Sequence, residues 1–277
     1  MTLPTVQTLQ LADFIAYLPK RPHDSHKGLF GHVLVVGGEL GFSGAVRMAA
    51  DAALRVGAGL VSIATRKAHA DLLNLTRPEI MCHGIESFDE LAPLLEKATV
   101  IIVGPGLQQS AWAKACLSQI IINNQKPLVV DADALNLLAL EPKYATHWIL
   151  TPHPLEAARL LQCDQSYIQQ DRLNAAMLLH KKYGGVIVLK GAGTLVVADK
   201  MPPAICELGN PGMSTAGMGD ILSGVIGGLV AQQLPLDIAA KLGVLVHALA
   251  GDSAAEKGER GLIATDLLPY LRQWVNA

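Results

Sequence analysis

The chain has 277 residues, 22 basic against 24 acidic side chains, and a formal charge of −2. It is long enough for one large α/β domain or two smaller ones. Its balanced charge gives no reason to expect nucleic acid or an anionic membrane surface as a partner. Hydrophobic residues make up 51% and aromatics 4%, so Ala, Val, Leu, Ile and Gly dominate, as in parallel strands covered by helices on both faces.

The four cysteines, Cys82, Cys116, Cys163 and Cys206, form no CxxC pair; they read as reduced, buried thiols of a cytoplasmic protein. The first residues, MTLPTVQTLQLADFIAYLPKRP, lack a basic start followed by an apolar run and do not read as a signal peptide. The longest uncharged runs, 98–113 and 221–236, are broken by Gly or Pro and are too short and polar to span a bilayer.

Residues 1–25 read as an N-terminal helix near 10–17 followed by a polar linker, PKRPHDSHKG, and residues 26–277 as one domain. His23, Asp24 and His26 read as solvated loop residues, since nothing fixes them in a ligand geometry. Lys27 precedes the first strand and reads either as a phosphate-reaching or a surface lysine. HVLVV at 32–36 is a strand, GGELGFSG at 37–44 a glycine-rich loop, 45–56 a helix and 60–64 a second strand. This is a βαβ unit, but its loop is GGxxGxxG rather than GxGxxG and no acid ends the second strand, which argues against a dinucleotide-binding dehydrogenase.

Four further strands follow, at 100–103, 128–130, 147–150 and 186–189, ending in GPG, DADALN, TPHPLE and KGAGT. In an open parallel sheet all four endings lie along the carboxyl edge, where such sheets bind ligands. Taken singly, each has a structural explanation: Asp131 or Asp133 as a helix cap, Pro152 and Pro154 as breakers, Lys190 as an exposed end. Residues 194–198 and 204–208 read as an antiparallel pair. Residues 236–255 form a long helix in which His247 reads as a core histidine, and 262–275 a closing helix capped by Thr265 or Asp266.

The stretch GNPGMSTAGMGDILSGVIGG, 209–228, begins as a Pro- and Gly-broken loop and ends as a helix with Ile221, Leu222, Val225, Ile226, Leu229 and Val230 on one face. A glycine-rich turn entering a helix leaves outward N–H groups at the positive end of the helix dipole, which suits a phosphate. Asp220 is an anion placed there, either a helix cap or a base that takes a proton from an attacking hydroxyl.

The set KGxxGHVLVVGG, GPGL, DADALN, TPHPLE, KGAGT and GNPGM…GMGDILSG resembles the ADP/ATP-dependent NAD(P)H-hydrate dehydratase family of the ribokinase-like superfamily, from about Ser25 to Trp274. The resemblance implies a three-layer αβα ribokinase-like fold with a mainly parallel central sheet. It implies repair of NADHX and NADPHX, the hydrated forms of NADH and NADPH, with ADP or ATP as phosphoryl donor, ADP favoured, and Mg²⁺ as cofactor. It also implies roles for particular residues. Asp220 would be the base on the C6 hydroxyl, and Gly217, Met218 and Gly219 the anion hole. Lys190, Gly191, Ala192, Gly193, Thr194 and Gly219 would bind the AMP part of the nucleotide. Ala45, Gly106, His153 and Asp220 would line the hydrate site. Glu156 would organise the metal indirectly, through water, with Asp131 and Asn136 near the same phosphates. Members are often fused behind an NAD(P)H-hydrate epimerase, expected here as a fused or separate partner, and often form homo-oligomers. The competing readings are another ribokinase-like alcohol kinase, of the hydroxymethylpyrimidine or thiazole type, and a non-catalytic nucleotide-binding module.

Overall fold

The computed structural model describes residues 5–277; residues 1–4, where the expected N-terminal helix-and-linker segment begins, lie outside them. The strands are β1 (Gln7–Thr8), β2 (His32–Val36), β3 (Leu60–Thr65), β4 (Ile80–Gly84), β5 (Val100–Val103), β6 (Leu128–Val130), β7 (Trp148–Leu150), β8 (Val186–Leu189), β9 (Thr194–Val197) and β10 (Ala204–Cys206). They form one sheet in the order β1-β10-β9-β8-β7-β6-β5-β2-β3-β4. From β8 to β4 every pairing is parallel; β9 runs antiparallel to both neighbours, and β1 pairs parallel to β10.

Alternation along the strands explains the layers. Val33 and Val35 of β2 enter one hydrophobic cluster while Leu34 and Val36 enter the other, as a period of two requires when both faces are covered. Against the first face pack α1 (Ser43–Arg55), α9 (Met218–Ala231), α10 (Leu236–Ala255) and α11 (Leu268–Trp274). The second face carries α3 (Phe88–Lys97), α4 (Ala111–Asn123), α5 (Ala132–Leu140), α6 (Pro154–Leu161) and α8 (Arg172–Tyr183). Two short helices, α2 (Lys67–Leu73) and α7 (Gln165–Gln170), complete the chain. This is the expected three-layer αβα arrangement. By length and composition α10 could cross a membrane, but 72% of its apolar window is buried inside the fold, and it packs on α9 and α11 as a core helix.

The chain order reverses between β2 and β5: β3 and β4 are laid down on one side of β2, and β5, β6 and β7 on the other. A crevice opens at such a switch point, outside the carboxyl ends of the strands. The loops after β2 and β5 meet there, with Gly38 N–H donating to Pro105 O at 3.0 Å and Glu39 N–H to Gly106 O at 2.7 Å.

The first face is set by an unusually close helix pair. A Cβ at Gly224 would run into the carbonyl of Ala49, one at Gly228 would come 2.8 Å from the carbonyl of Ala53, and one at Gly227 would come 2.5 Å from Ile102. Glycines along α9 therefore let it lie against α1 on one side and β5 on another.

Two expectations at the ends differ from what is observed. Residues 10–17 form two 3-10 turns, Leu11–Asp13 and Ile15–Tyr17, rather than a helix; a segment this short gains too few bonds to offset helix nucleation. The segment is tied to the sheet through Gln7 and Thr8. The closing helix is split into a 3-10 turn, Ala264–Leu267, and α11, because Pro269 has no N–H to continue a helix through it. Asp266 accepts from the Ile263 amide at 3.0 Å at that turn.

Candidate active site

The carboxyl ends of β5 to β8 and the first turn of α9 converge. Gly217, at φ 91°, turns the chain into α9, and Met218, Gly219 and Asp220 are its first three residues. Asp220 is thus inside the helix and makes no capping bond, which leaves the cap explanation unsupported. Burial pushes its carboxyl up to about 7, helped by the negative charges of Asp131 and Asp133 and opposed by Lys190. A carboxylate in this range can hold or release a proton near neutrality.

Behind the cradle lies a buried ion cluster. Lys190 Nζ donates to Asp131 Oδ1 at 2.7 Å and stands 3.8 Å from Glu156 Oε2. Ser223, one turn along α9 from Asp220, donates from its hydroxyl to Asp131 Oδ2 at 2.6 Å. Asp131 occupies the cap position of α5 yet makes no capping bond; its carboxylate is turned inward. Burial alone would raise the Asp131 pKa, but the Lys190 ammonium and the Lys190, Ser223 and Thr151 hydrogen bonds hold it below the usual range. Burial works against the charged Lys190 as well, and Asp131, Glu156 and Asp220 outweigh it. The ammonium also faces the helix entrance, since a Cβ at Gly219 would come 3.3 Å from Lys190 Nζ. Lys190 is therefore an enclosed cation at the cradle and not a solvent-facing strand end.

His153 and Glu156 have a structural task in addition to any chemical one. His153 Nδ1 accepts from the amides of Leu155 at 3.1 Å and Glu156 at 3.3 Å, and Glu156 Oε2 accepts from the His153 amide at 2.8 Å. This is a capping box that opens α6. Nδ1 as acceptor leaves the proton on Nε2, 3.3 Å from Glu156 Oε1. Burial, then the Lys190 charge, lowers the His153 pKa. Burial pushes Glu156 up to about 7, against the pull of Lys190.

Ala45 and Gly106 are brought together: a Cβ at Gly106 would lie 3.1 Å from the Ala45 Cβ and 2.5 Å from the carbonyl of Phe42. Gly104 packs on the Asp131 carbonyl and a Cβ at Gly217 would meet Met48 of α1 at 2.6 Å, so GPG and α1 border both the ion cluster and the cradle. Gly191–Thr194 continue directly from Lys190 on the same rim. Asn136 lies farther out, accepting from Arg159 at 2.7 Å. Lys27 is at the opposite edge, its carbonyl packed on Gly59 before β3. His247 is a core histidine, pushed down to about 4 by burial, next to the Met218 backbone. His23, Asp24 and His26 are exposed loop residues.

Two contributors, Glu39 and Ser223, carry no strand-end signature. Glu39, buried in the loop after β2, accepts from the Leu40 amide at 3.0 Å, from Arg66 at 2.6 Å and from the Ser110 hydroxyl, which fixes that loop. Ser223 could have been found from its i+3 spacing to Asp220; Glu39 could not, because its partners are distant in the chain.

A family model described as NAD(P)H-hydrate dehydratase matches residues 33–273. The bifunctional NAD(P)H-hydrate repair enzyme Nnr of Coxiella burnetii is 56% identical over 260 residues, covering 94% of this chain and 53% of that protein. The chain thus spans about half the length of that curated relative. A ribokinase-like superfamily protein of Enterococcus faecalis superposes with a TM-score of 0.90 at 30% identity, over 98% of this chain and 95% of that one. The ADP/ATP-dependent NAD(P)H-hydrate dehydratase of Bacillus subtilis, co-crystallised with ATP and Mg²⁺, gives 0.87 at 25% identity over 98% of both. The likeness runs from the first core strand through α11 and takes in every loop of the crevice, and the chain belongs to the NAD(P)H-hydrate dehydratase family, with its ribokinase-like fold.

Proposed function

We propose that the chain converts NADHX and NADPHX back to NADH and NADPH, using ADP or ATP as phosphoryl donor. The observation that carries this reading is the placement of Asp220 beside an amide-lined helix entrance, with the Lys190 ammonium facing the same entrance.

Hydroxide leaves the C6 carbon poorly near neutrality, and phosphate leaves well. Asp220 accepts the proton of the C6 hydroxyl, and the freed oxygen attacks the terminal phosphorus of the nucleotide, displacing AMP from ADP or ADP from ATP. The amides around Gly217, Met218 and Gly219, together with Lys190, meet the charge that develops on the transferring group. The ring nitrogen then expels phosphate from C6, and loss of a proton from C5 restores the double bond. Ala45, Gly106 and His153 border the pocket for the hydrated ring, and Gly191–Thr194 and Gly219 take the nucleotide.

The residues fit a magnesium ion carried on nucleotide phosphates rather than one caged by protein. Among the described residues no three His, Cys, Asp or Glu side chains form a metal-binding group. Both oxygens of Glu156 already face His153, so Glu156 would act through water, as Mg²⁺ commonly allows. When bound, the ion neutralises phosphate charge. The reading also carries a cytoplasmic setting, an epimerase partner, fused or separate, and assembly into a homo-oligomer; four free cysteines agree with a reducing compartment.

The test is to incubate NADHX with ADP or ATP and Mg²⁺ and follow absorbance at the reduced nicotinamide band. Recovery of absorbance with stoichiometric phosphate release is expected. Accumulation of a stable phosphorylated alcohol would instead make the chain an alcohol kinase, and nucleotide binding without turnover would make it a binding module.

A further inference from the structure

Arg172 opens α8 and belongs to none of the strand-end motifs. Its guanidinium reaches under the end of β8 and the loop that follows and collects three carbonyls there. One terminal nitrogen donates to Leu189 O and Lys190 O, each at 3.2 Å, and the other donates to Ala192 O. The side chain packs flat on the loop: a Cβ at Gly191 would come 3.1 Å from a terminal nitrogen and 3.5 Å from the guanidinium carbon. Gly191 and Gly193 both hold positive φ, 136° and 64°, and the only tie within this irregular loop among the described residues is the Thr194 hydroxyl, which donates to Gly191 O at 2.9 Å. The Lys190 amide is tied to Pro152 O at 2.9 Å. Among the described residues, the amides of Gly191, Ala192 and Gly193 donate to no backbone or side-chain acceptor.

Carbonyls drawn to one side and free N–H groups left on the other make a donor-lined concavity suited to an anionic or acceptor-rich ligand. Among the described residues, no Asp or Glu pairs with Arg172, and burial lowers its pKa. Its charge is answered by carbonyl dipoles alone, so net positive potential remains beneath the concavity. A half-buried guanidinium with no counter-ion is costly unless a ligand or a fixed backbone makes use of it.

We propose that Arg172 is a positioning residue for the nucleotide: it holds Gly191–Thr194 in the one conformation that presents three free amides to ADP or ATP. This rests on the assignment of that loop to the nucleotide in the proposed function. Among the described residues Arg172 makes no hydrogen bond to the hydrate-pocket residues or Asp220, and it holds Lys190 by the carbonyl while Asp131 holds the ammonium, so its main effect falls on nucleotide affinity.

The test is Arg172→Lys, with Arg172→Gln as a second variant, measured by steady-state kinetics and by calorimetric ADP binding to the enzyme without hydrate. Lysine keeps the charge but cannot bridge three carbonyls in a plane. Losing charged hydrogen bonds that hold the loop should raise the KM and Kd for ADP by about tenfold or more in Arg172→Lys, and further in Arg172→Gln. The KM for NADHX and the kcat at saturating ADP should stay within about twofold of wild type. Unchanged ADP affinity in both variants overturns the proposal. So does a parallel fall in kcat and both affinities with a lowered Tm, which marks a purely structural role. If the wild-type chain itself binds ADP but does not turn over, the functional reading fails while the Arg172 assignment is still decided by the binding data.

Discussion

Asp220 is asked to be stable enough to stay in place and basic enough to react, and Asp220→Asn separates the two demands. The folded chain raises this carboxyl from its ordinary value of 3.8 to about 7, chiefly by burial. A group whose folded pKa lies above its unfolded one contributes stability that is complete below the unfolded value and is lost as pH rises through the folded value. The gap of about three pH units corresponds to about 4 kcal/mol for holding Asp220 ionised in the folded state, and to about 2 kcal/mol after allowing for its partial exposure to solvent. Asparagine has the same shape and no charge. The variant should therefore be about 2 kcal/mol more stable than wild type above pH 7, with the advantage shrinking towards zero as pH falls to about 4. Its turnover should fall by about 10²–10⁴-fold, the range for loss of a positioned general base. Urea denaturation at several pH values measures the first, and recovery of nicotinamide absorbance the second. A stability difference that does not change with pH would show that Asp220 is not held protonated near neutrality, and near-normal turnover would remove it as the base.

In the wild type, kcat/KM should rise with pH through about 7 as Asp220 loses its proton; a profile flat across that region contradicts the assignment. Lys190→Met would leave Asp131 buried without its cation, with an expected loss of about 3–5 kcal/mol by denaturant titration. That loss should diminish in acid, since Asp131 supplies its stability above its unfolded pKa and loses it as pH falls through the lower folded value. A loss that is the same at every pH contradicts the pairing. Gly224→Ala gains about 1 kcal/mol of helix propensity but forces a methyl group into the Ala49 carbonyl. The net change should be a destabilisation of about 1–3 kcal/mol; a variant as stable as wild type would mean that α1 and α9 can separate freely.

The parts of this fold that can be read from sequence are those whose environment is uniform. Strands β2, β5, β6 and β8 are buried on both faces and so appear as continuous apolar runs. Edge strand β4, IMCHG, mixes exposed Met81 with half-buried Cys82 and His83, and no period marks it. The motif residues were legible as a set because the parallel sheet delivers strand ends to one edge. Their partners were not. Asp131 and Lys190 are 59 residues apart and meet only through the order of β6, β7 and β8. Arg172 carries no local signal, since it approaches the Gly191 loop from the start of a helix on the other side of the strand. His153 and Glu156 were legible as polar residues at a strand end, but their reciprocal capping of α6 is a duty that TPHPLE alone does not reveal.

The helix whose first amides we assign to a phosphate is wedged along its length between α1 and β5, with no side chain at Gly224, Gly227 or Gly228 to yield. Reach at the reacting end and fit at the far end are consequently one variable. A change at Gly228, about 12 Å along the axis from Asp220 at 1.5 Å per residue, would be felt at the helix entrance as a displacement of Asp220, the proposed base. Freedom to vary is then left to side chains outside that wedge, such as those of Leu40 and Phe42, which are half exposed although their backbone is held by Glu39 and packs on Gly106.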